Sequence, residues 1–451
     1  MRFIHTSDWH LGHRLYGLNR VQEQSAFLDW LIDQVQQHQI DALIVAGDIF
    51  DTHNPSAEAT RLYYRFLHQL HHVDPHVQVV IIGGNHDSAQ RLDAPREVLS
   101  ALGVHVVGGL PTLTSPQWQD VYVPLSNREG KTVAWVAAIP FLRSSDLPIV
   151  TSEPEERMIS GVREVYHHAL TQLQGQIEDD QAVILTGHCQ MSRGVLSQES
   201  ERQVPGYGDA SLPSDVFSPE GNSLASYVAL GHLHLAQQVS GCDWIRYSGS
   251  PLAFSISESH YPHQVLLVEL EGRALSSITP LLVPESIKLK MIRIPDHSST
   301  FASDTERGDQ PRKTSLPLKE ALKAIKALPP LDDTQPDWQL PLIQVNIECD
   351  APDPTIKAKV LSAIEGKHAR LAKISISYPG RTLRPSPEAP TQHLRDIDPD
   401  DVFRARWLEK RGEAPPEDLL EVFRMLKEEA RVSLEVNLNN LQSSHDHSTK
   451  E

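Results

Sequence analysis

Five apolar runs in this chain end on side chains that can hold a metal ion: FIHTSDWH, LIVAGDIFD, VIIGGNHD, VILTGH and VALGHLH. The donors they carry are Asp8, His10, Asp48, Asn85, His188, His232 and His234. Carboxylate, amide oxygen and imidazole in one set suit Mn2+, Fe or Zn2+. Seven donor residues exceed what one ordinary ion takes. They suit two ions about 3.5–4 Å apart that share a carboxylate. In four of the runs a glycine directly precedes the donor: Gly47-Asp48, Gly84-Asn85, Gly187-His188 and Gly231-His232. Glycine there lets the chain turn sharply and approach a neighbour closely. A lone histidine after a strand, or a lone GD pair, is ordinarily a surface or turn feature. The weight lies in all five pieces occurring together, each behind a strand. His68, His71, His72, His167 and His168 sit on amphipathic helices without such partners and read as surface or core residues.

The elements that position these donors follow from periodicity. RFIHTSD, DALIVAGD and VQVVIIGGN read as strands, separated by helices over VQEQSAFLDWLIDQVQQHQ and AEATRLYYRFLHQL. Phe27, Leu28, Leu31 and Val35 fall at helical spacing in the first. A βαβαβ order implies a buried sheet, parallel at its start, with right-handed crossovers. In such sheets, sites form beyond the carboxyl ends of the strands. TVAWVAAIP, AVILTGH, YVALGHLH, WIRYSGS and QVLLVEL continue the pattern to about residue 270, and the last few are close enough to pair antiparallel. The expected fold class is α/β, a layered sandwich of mixed sheets flanked by helices.

Past residue 278 the pattern changes to a smaller βαβαβ unit, expected over 279–380, with a Ser/Thr/Asp/Gly-rich loop from His297 to Lys313. Residues 381–395 read as a Pro-rich linker, 396–440 as a helical segment and 441–451 as a disordered tail. Asp398 and Pro399 suit the start of one helix, and Pro415 to Asp418 the start of a second. Leu419, Phe423, Leu426 and Ala430 then form one apolar stripe. Either it packs within its own domain or it binds a partner.

Composition narrows the function classes. At 451 residues the chain exceeds one compact core. It has no apolar run of about 18 residues, and its N-terminus lacks the pattern of a secretory signal. A cytoplasmic location and no membrane association are expected. The net charge of −18 argues against a free-standing nucleic-acid binder, though not against an enzyme that meets nucleic acid through metal ions or a basic partner. Cys189, Cys242 and Cys349 show no C-x-x-C spacing and read as buried or incidental thiols.

SDWHLG, GDIFD, GNHD, GH and GHLH resemble, in order and spacing, the signature of calcineurin-like metallophosphoesterases. HTSDWHLG, VAGDIFDT, GNHDS, ALGHLH and YSGSPLAFSISE are similar to the SbcD-type nuclease subunits within that superfamily. The motifs cover about the first 270 residues; the remainder is similar in layout, with a small capping domain and C-terminal helices that grip a partner's coiled coil. The resemblance implies one metal on Asp8, His10, Asp48 and His234, and another on Asp48, Asn85, His188 and His232, most often Mn2+. It implies that His86 stays off the metals, faces the phosphate and helps protonate the leaving oxygen. A histidine's ordinary pKa near 6.5 allows that role close to neutral pH. Asp87 either supports a ligand or caps the helix from Ser88. Asp51 stands where some relatives carry a histidine, so a second catalytic histidine is not carried over, and Asp51 is kept as a supporting residue. His13 is a candidate for the site rim, and the stretch 190–222 is either a substrate-facing loop or a surface excursion.

The implied activity is cleavage of DNA ends and hairpins, 3′→5′ exonucleolytic and single-strand endonucleolytic, in repair, replication and recombination. The implied partner is an SbcC-like ATPase with a coiled coil, met by a homodimer within a heterotetramer. Two alternatives stand beside it. A phosphatase or cyclic-nucleotide phosphodiesterase would share the metal site but has no use for the capping domain and C-terminal helices. A non-catalytic DNA-end scaffold would not need a complete ligand set.

Overall fold

The computed structural model describes residues 1–151, 156–195, 211–218, 224–287, 290–295, 315–332, 334 and 336–378, together with Phe403, Arg404, Trp407, Pro415, Pro416, Leu419, Leu420 and Phe423. The expected linker 381–395, the tail 441–451, the loop from His297 to Lys313 and most of 196–223 lie outside the described residues. The chain divides into two compact units, Met1–Tyr378 and Pro379–Glu451. Among the described residues no helix is long and apolar enough to cross a membrane.

Two six-stranded sheets make the sandwich of the first unit. In the first, Arg2–Thr6, Ala42–Ala46, Gln78–Ile82 and Val104–Val107 run parallel in that order, and Gln264–Glu271 and Ala274–Leu282 add antiparallel beside Arg2–Thr6. In the second, Thr132–Ala137, Ala182–His188, Tyr227–Gly231 and Cys242–Tyr247 run parallel, with Tyr122–Ser126 and Gln237–Val239 antiparallel at the edges.

Period-two alternation explains why the first sheet is apolar on both faces. Phe3, Ala42, Ile44, Ala46, Val80 and Ile82 join the core shared with the second sheet. Their neighbours Ile4, Leu43, Val45, Val79 and Ile81 join a separate core under the helices Val21–His38 and Ala57–Val73. Those helices present Phe27, Leu28, Leu31 and Val35, and Leu62, Tyr63, Phe66 and Leu70, at helical spacing. Ser56 caps the second through its side-chain oxygen. Helix Arg157–Gln174 buries Val162, Val165, Tyr166, Ala169 and Leu173 in the core that the second sheet shares.

The structure corrects the expected pairing. Cys242–Tyr247 runs parallel to Tyr227–Gly231, and Gln264–Glu271 leaves that sheet to pair antiparallel with Arg2–Thr6. The strands Val104–Val107, Tyr122–Ser126 and Ala274–Leu282 went unread. Ala274–Leu282 carries the sandwich past residue 278. Its side chains are mostly exposed or half-buried, so it lacks the apolar run that marks its neighbours.

The third sheet is all parallel. Leu342–Glu348 pairs with Met291–Ile294 and Leu316–Pro317 along one side and with Arg370–Ser377 on the other. Helices Leu318–Lys326 and Ile356–Ile364 supply Ala321, Ile325, Ile356 and Val360 to its core. The hairpin Arg14–Leu15 and Leu18–Asn19 meets this sheet, with Leu15 packed among Met291, Leu342 and Ala372.

Candidate metal centre

Parallel pairing sends the carboxyl ends of Arg2–Thr6, Ala42–Ala46 and Gln78–Ile82 to one edge of the first sheet, and those of Ala182–His188 and Tyr227–Gly231 to one edge of the second. His188 spans the gap between the sheets: its Nδ1 is 2.9 Å from the Ala46 carbonyl oxygen. The backbone at these ends is strained. Asp8, His10, Asp48 and His232 have φ of 54°, 43°, 51° and 102°, four of the eight non-glycine residues with positive φ among the described ones. Such a conformation costs about 1–2 kcal/mol per residue and persists only where the surroundings enforce it. Here they do. The Asp8 and His10 N–H groups donate to the Gly47 and Asp48 carbonyls at 3.0 Å, and the His232 N–H donates to Asp8 Oδ1 at 3.0 Å. Gly47, with φ of 89°, lies so close to the His188 ring that a Cβ would collide with it, and a Cβ on Gly84 would strike the Asp48 carboxylate.

The donor atoms converge. Asp48 Oδ2 lies 3.5 Å from His10 Nε2 and 3.3 Å from His188 Nε2. Asn85 Oδ1 lies 2.9 Å from His188 Nε2 and 3.1 Å from His232 Nδ1. Asp8, His10 and His234 offer ligand atoms within 4.8 Å of one another, as do Asp8, Asp48 and His188. Neighbouring ligands bonded at about 2.1 Å to one ion stand roughly 3 Å apart, so these spacings fit divalent cations. Both ring nitrogens of His10 are buried without a hydrogen-bond partner; such a group costs about 1–3 kcal/mol, and a metal bond would remove that cost at the nitrogen that carries no proton. Asp48 stands between His10 of one implied ligand group and His188 of the other.

Burial sets the protonation states. It holds His10 well below its ordinary pKa and His232 down at about 3, leaving the neutral imidazoles that metals bind. Burial also resists charge on His188, but the Asp48 and Asp8 carboxylates outweigh it and hold its pKa up at about 9. Burial opposes charge on Asp48 as well, and His188 and His10 overcome it, so its carboxyl stays well below the usual range. A divalent ion taken up by His188 would have to displace that proton.

A cleft of about 610 Å3 opens onto this centre, lined by His10, His13, Arg14, Asp51, His86, His234 and Phe254 among others. His86 Nδ1 is 2.8 Å from the Asp51 carbonyl oxygen, which leaves Nε2 for the cleft. Its backbone N–H donates to Asp48 Oδ1 at 2.8 Å. His86 also offers a nitrogen within 4.8 Å of ligand atoms on His10 and Asp48, so reach alone does not keep it off the metal. The Asp51 carboxylate stands 3.7 Å from His10 Nδ1. Asp87 caps no helix. Its buried carboxylate accepts the N–H groups of Ile49 and Phe50 at 3.1 and 3.0 Å and of Gly84 at 2.9 Å, tying the GDIFD turn to the GNHD turn. Burial lifts its pKa to about 6. His13 is on the cleft wall, edge-on to Phe254 with ring centroids 4.9 Å apart.

Sequence reasoning passed over Glu258. It is fully buried, and Oε1 lies 2.9 Å from His234 Nδ1. The only signal was its place at the end of YSGSPLAFSISE. Of the apolar stripe in the second unit, Leu419 and Phe423 are half-buried, while Leu426 and Ala430 lie outside the described residues. Phe423 stacks on Phe403 with centroids 4.3 Å apart, and Leu420, off the stripe, is buried.

Known proteins share this chain's pattern. Residues 1–236 match the family described as calcineurin-like phosphoesterase, and residues 312–411 match the type 5 capsule protein repressor C-terminal domain. The chain is 37% identical over 413 residues to the SbcD component of the SbcCD nuclease of Rhodobacter capsulatus, covering 90% of this chain and 94% of that protein. It is 36% identical over 304 residues to the Escherichia coli K12 protein of the same name, covering 65% of this chain and 71% of that one. The Bacillus subtilis protein is 34% identical over 276 residues, covering 60% and 66%.

Proposed function

Because this chain belongs to the SbcD family of calcineurin-like phosphoesterases, we propose that it is the dimetal nuclease component of a complex with an SbcC-like ATPase, cleaving DNA ends and hairpins. The observation that carries the reading is one carboxylate, Asp48, adjacent to ligand atoms of two donor groups, beside a cleft that His10, His86 and His234 line. Asp8, His10, Asp48 and His234 would hold one ion, and Asp48, Asn85, His188 and His232 the other. The donor set fits Mn2+.

Ions held there would supply Lewis acidity toward the phosphodiester and toward the attacking water. The chain supplies the rest. His86 keeps Nδ1 on the Asp51 carbonyl and turns Nε2 to the phosphate, where the protonated ring gives its proton to the leaving oxygen. Asp87 holds the Asp48 and Asn85 turns in register through three backbone N–H groups. Among the described residues lining the cleft, Arg14 is the one Lys or Arg, and it contacts a flanking phosphate. The segment 396–440 docks the ATPase's coiled coil through Leu419, Phe423, Leu426 and Ala430, within a homodimeric nuclease core.

Hairpin cleavage with Mn2+, with and without ATPase and ATP, tests this. Asp48→Ala reduces cleavage to background; undiminished cleavage would sink the shared-metal reading. His86→Ala keeps both ions and loses activity by about 10²–10⁴-fold; loss of an ion instead makes His86 a ligand. Deleting residues 397–435 spares hydrolysis of a small chromogenic ester and removes ATPase pull-down.

A further inference from the structure

The loop Ser250–His263 reaches the metal centre through Phe254 and Glu258, and the two carboxylate oxygens of Glu258 have different tasks. Oε1 lies 2.9 Å from His234 Nδ1, and Oε2 accepts the Phe254 backbone N–H at 2.6 Å. Phe254 in turn packs edge-on against the rings of His234 and His10, with centroids 5.0 and 4.7 Å apart. The acid that binds Phe254's backbone therefore also fixes the imidazole that Phe254's ring flanks. The loop itself is pinned. Arg20 reaches the Ala253 carbonyl at 2.5 Å while paired bidentately with Glu23, and the Tyr16 hydroxyl accepts the Ile256 N–H at 3.3 Å. His263 sits between the Ser250 and Glu258 carbonyls at 2.9 and 3.1 Å.

We infer that Glu258 is a positioning residue for the metal centre: it holds His234 as the Nδ1–H tautomer, so that Nε2 carries the lone pair that binds the ion. The inference rests on the reading that His234 is a ligand. Its chemistry explains why the residue is an acid. Two donors, the Phe254 N–H and the His234 Nδ1–H, converge on one buried side chain, and only a carboxylate accepts at both ends. A glutamine must turn its NH2 toward one of them. If it meets His234, the amide N–H stabilises the Nε2–H tautomer and blocks the metal-binding nitrogen. If it meets Phe254, two donors face each other in a buried site. A buried carboxylate behind the ring also raises the basicity of the ligand nitrogen.

The test titrates Mn2+ into the metal-free full chain by calorimetry, comparing the unaltered protein with Glu258→Gln and His234→Ala, and follows thermal unfolding in chelator. Glu258→Gln weakens one of two Mn2+ ions by about 10–100-fold, the same ion that His234→Ala loses. The second ion binds within about threefold of the unaltered chain, and the metal-free variant still unfolds cooperatively. Two intact affinities in Glu258→Gln overturn the inference, as does equal weakening of both ions. If His234→Ala keeps both ions, the ligand assignment itself fails. One readout needs no folded Glu258 variant. 15N-histidine spectra of the metal-free chain, with the His234 signal identified by its loss in His234→Ala, show Nδ1 protonated. An Nε2–H tautomer in the unaltered chain overturns the inference.

Discussion

The sandwich and the third sheet are built from the same unit, parallel strands joined by helices, yet among the described residues donors gather at only one of them. Ala42–Ala46 and Tyr227–Gly231 are buried along their whole length, with apolar layers on both faces. Leu342–Glu348 alternates buried and half-buried residues, and Arg370–Ser377 is half-buried or exposed throughout. The strand ends differ more. In the sandwich Asp8, His10, Asp48 and His232 are held at positive φ; among the described residues of the third sheet and its connections, only Gly366, in the turn before Arg370–Ser377, has positive φ. Parallel strand ends alone do not make a site. Two sheets facing each other close the gap from Ala46 to His188, and strained turns aim the side chains into it. A single sheet lacks both means.

Paired glycines give the sharpest way to break that contrast. Gly47 and Gly366 both have positive φ, but a Cβ meets the His188 ring at the first and open space at the second. Gly47→Ala removes measurable nuclease activity and at least one Mn2+, whereas Gly366→Ala costs about 1–2 kcal/mol and leaves activity unchanged. Equal losses in both variants, measured by hairpin cleavage and thermal unfolding, would erase the distinction.

Core truncation in the third sheet comes next. Ile347 is fully buried in its central strand. Ile347→Ala destabilises by about 2–5 kcal/mol, read by denaturant unfolding, while hydrolysis of a small ester at 25 °C stays within about twofold. A matching fall in ester hydrolysis would show that the third sheet holds the metal centre in shape. The smallest effect belongs to the cleft wall. Arg14→Ala weakens DNA binding severalfold and lowers the salt dependence of the affinity by about one counterion, with ester hydrolysis intact. An unchanged salt slope removes Arg14 from the DNA path.

The strand ends were legible because their signals are local. An apolar run followed by Gly and a donor needs no knowledge of the rest of the chain, and helix Val21–His38 announced itself through its own spacing. Asp87 was less legible. Its position beside Ser88 left a helix cap and support of the site both open, and its carboxylate took donors on Ile49 and Phe50, 38 and 37 residues away. The parallel pairing of Cys242–Tyr247 was misread for a related reason. Proximity in sequence favours hairpins, and the short strand Gln237–Val239 took that antiparallel position instead.

Which residues are donors, and where the chain must turn, can be read from the amino-acid order alone, because residue type and periodicity act over a few neighbours. Which donors gather around a common point is a matter of packing, since it depends on contacts such as His188 to Ala46 and His232 to Asp8, 142 and 224 residues apart. Packing also revealed the group behind His234. A buried glutamate looks like any other acid in a sequence, and its task is known only once the fold has taken it out of bulk water and set it against an imidazole and a backbone N–H.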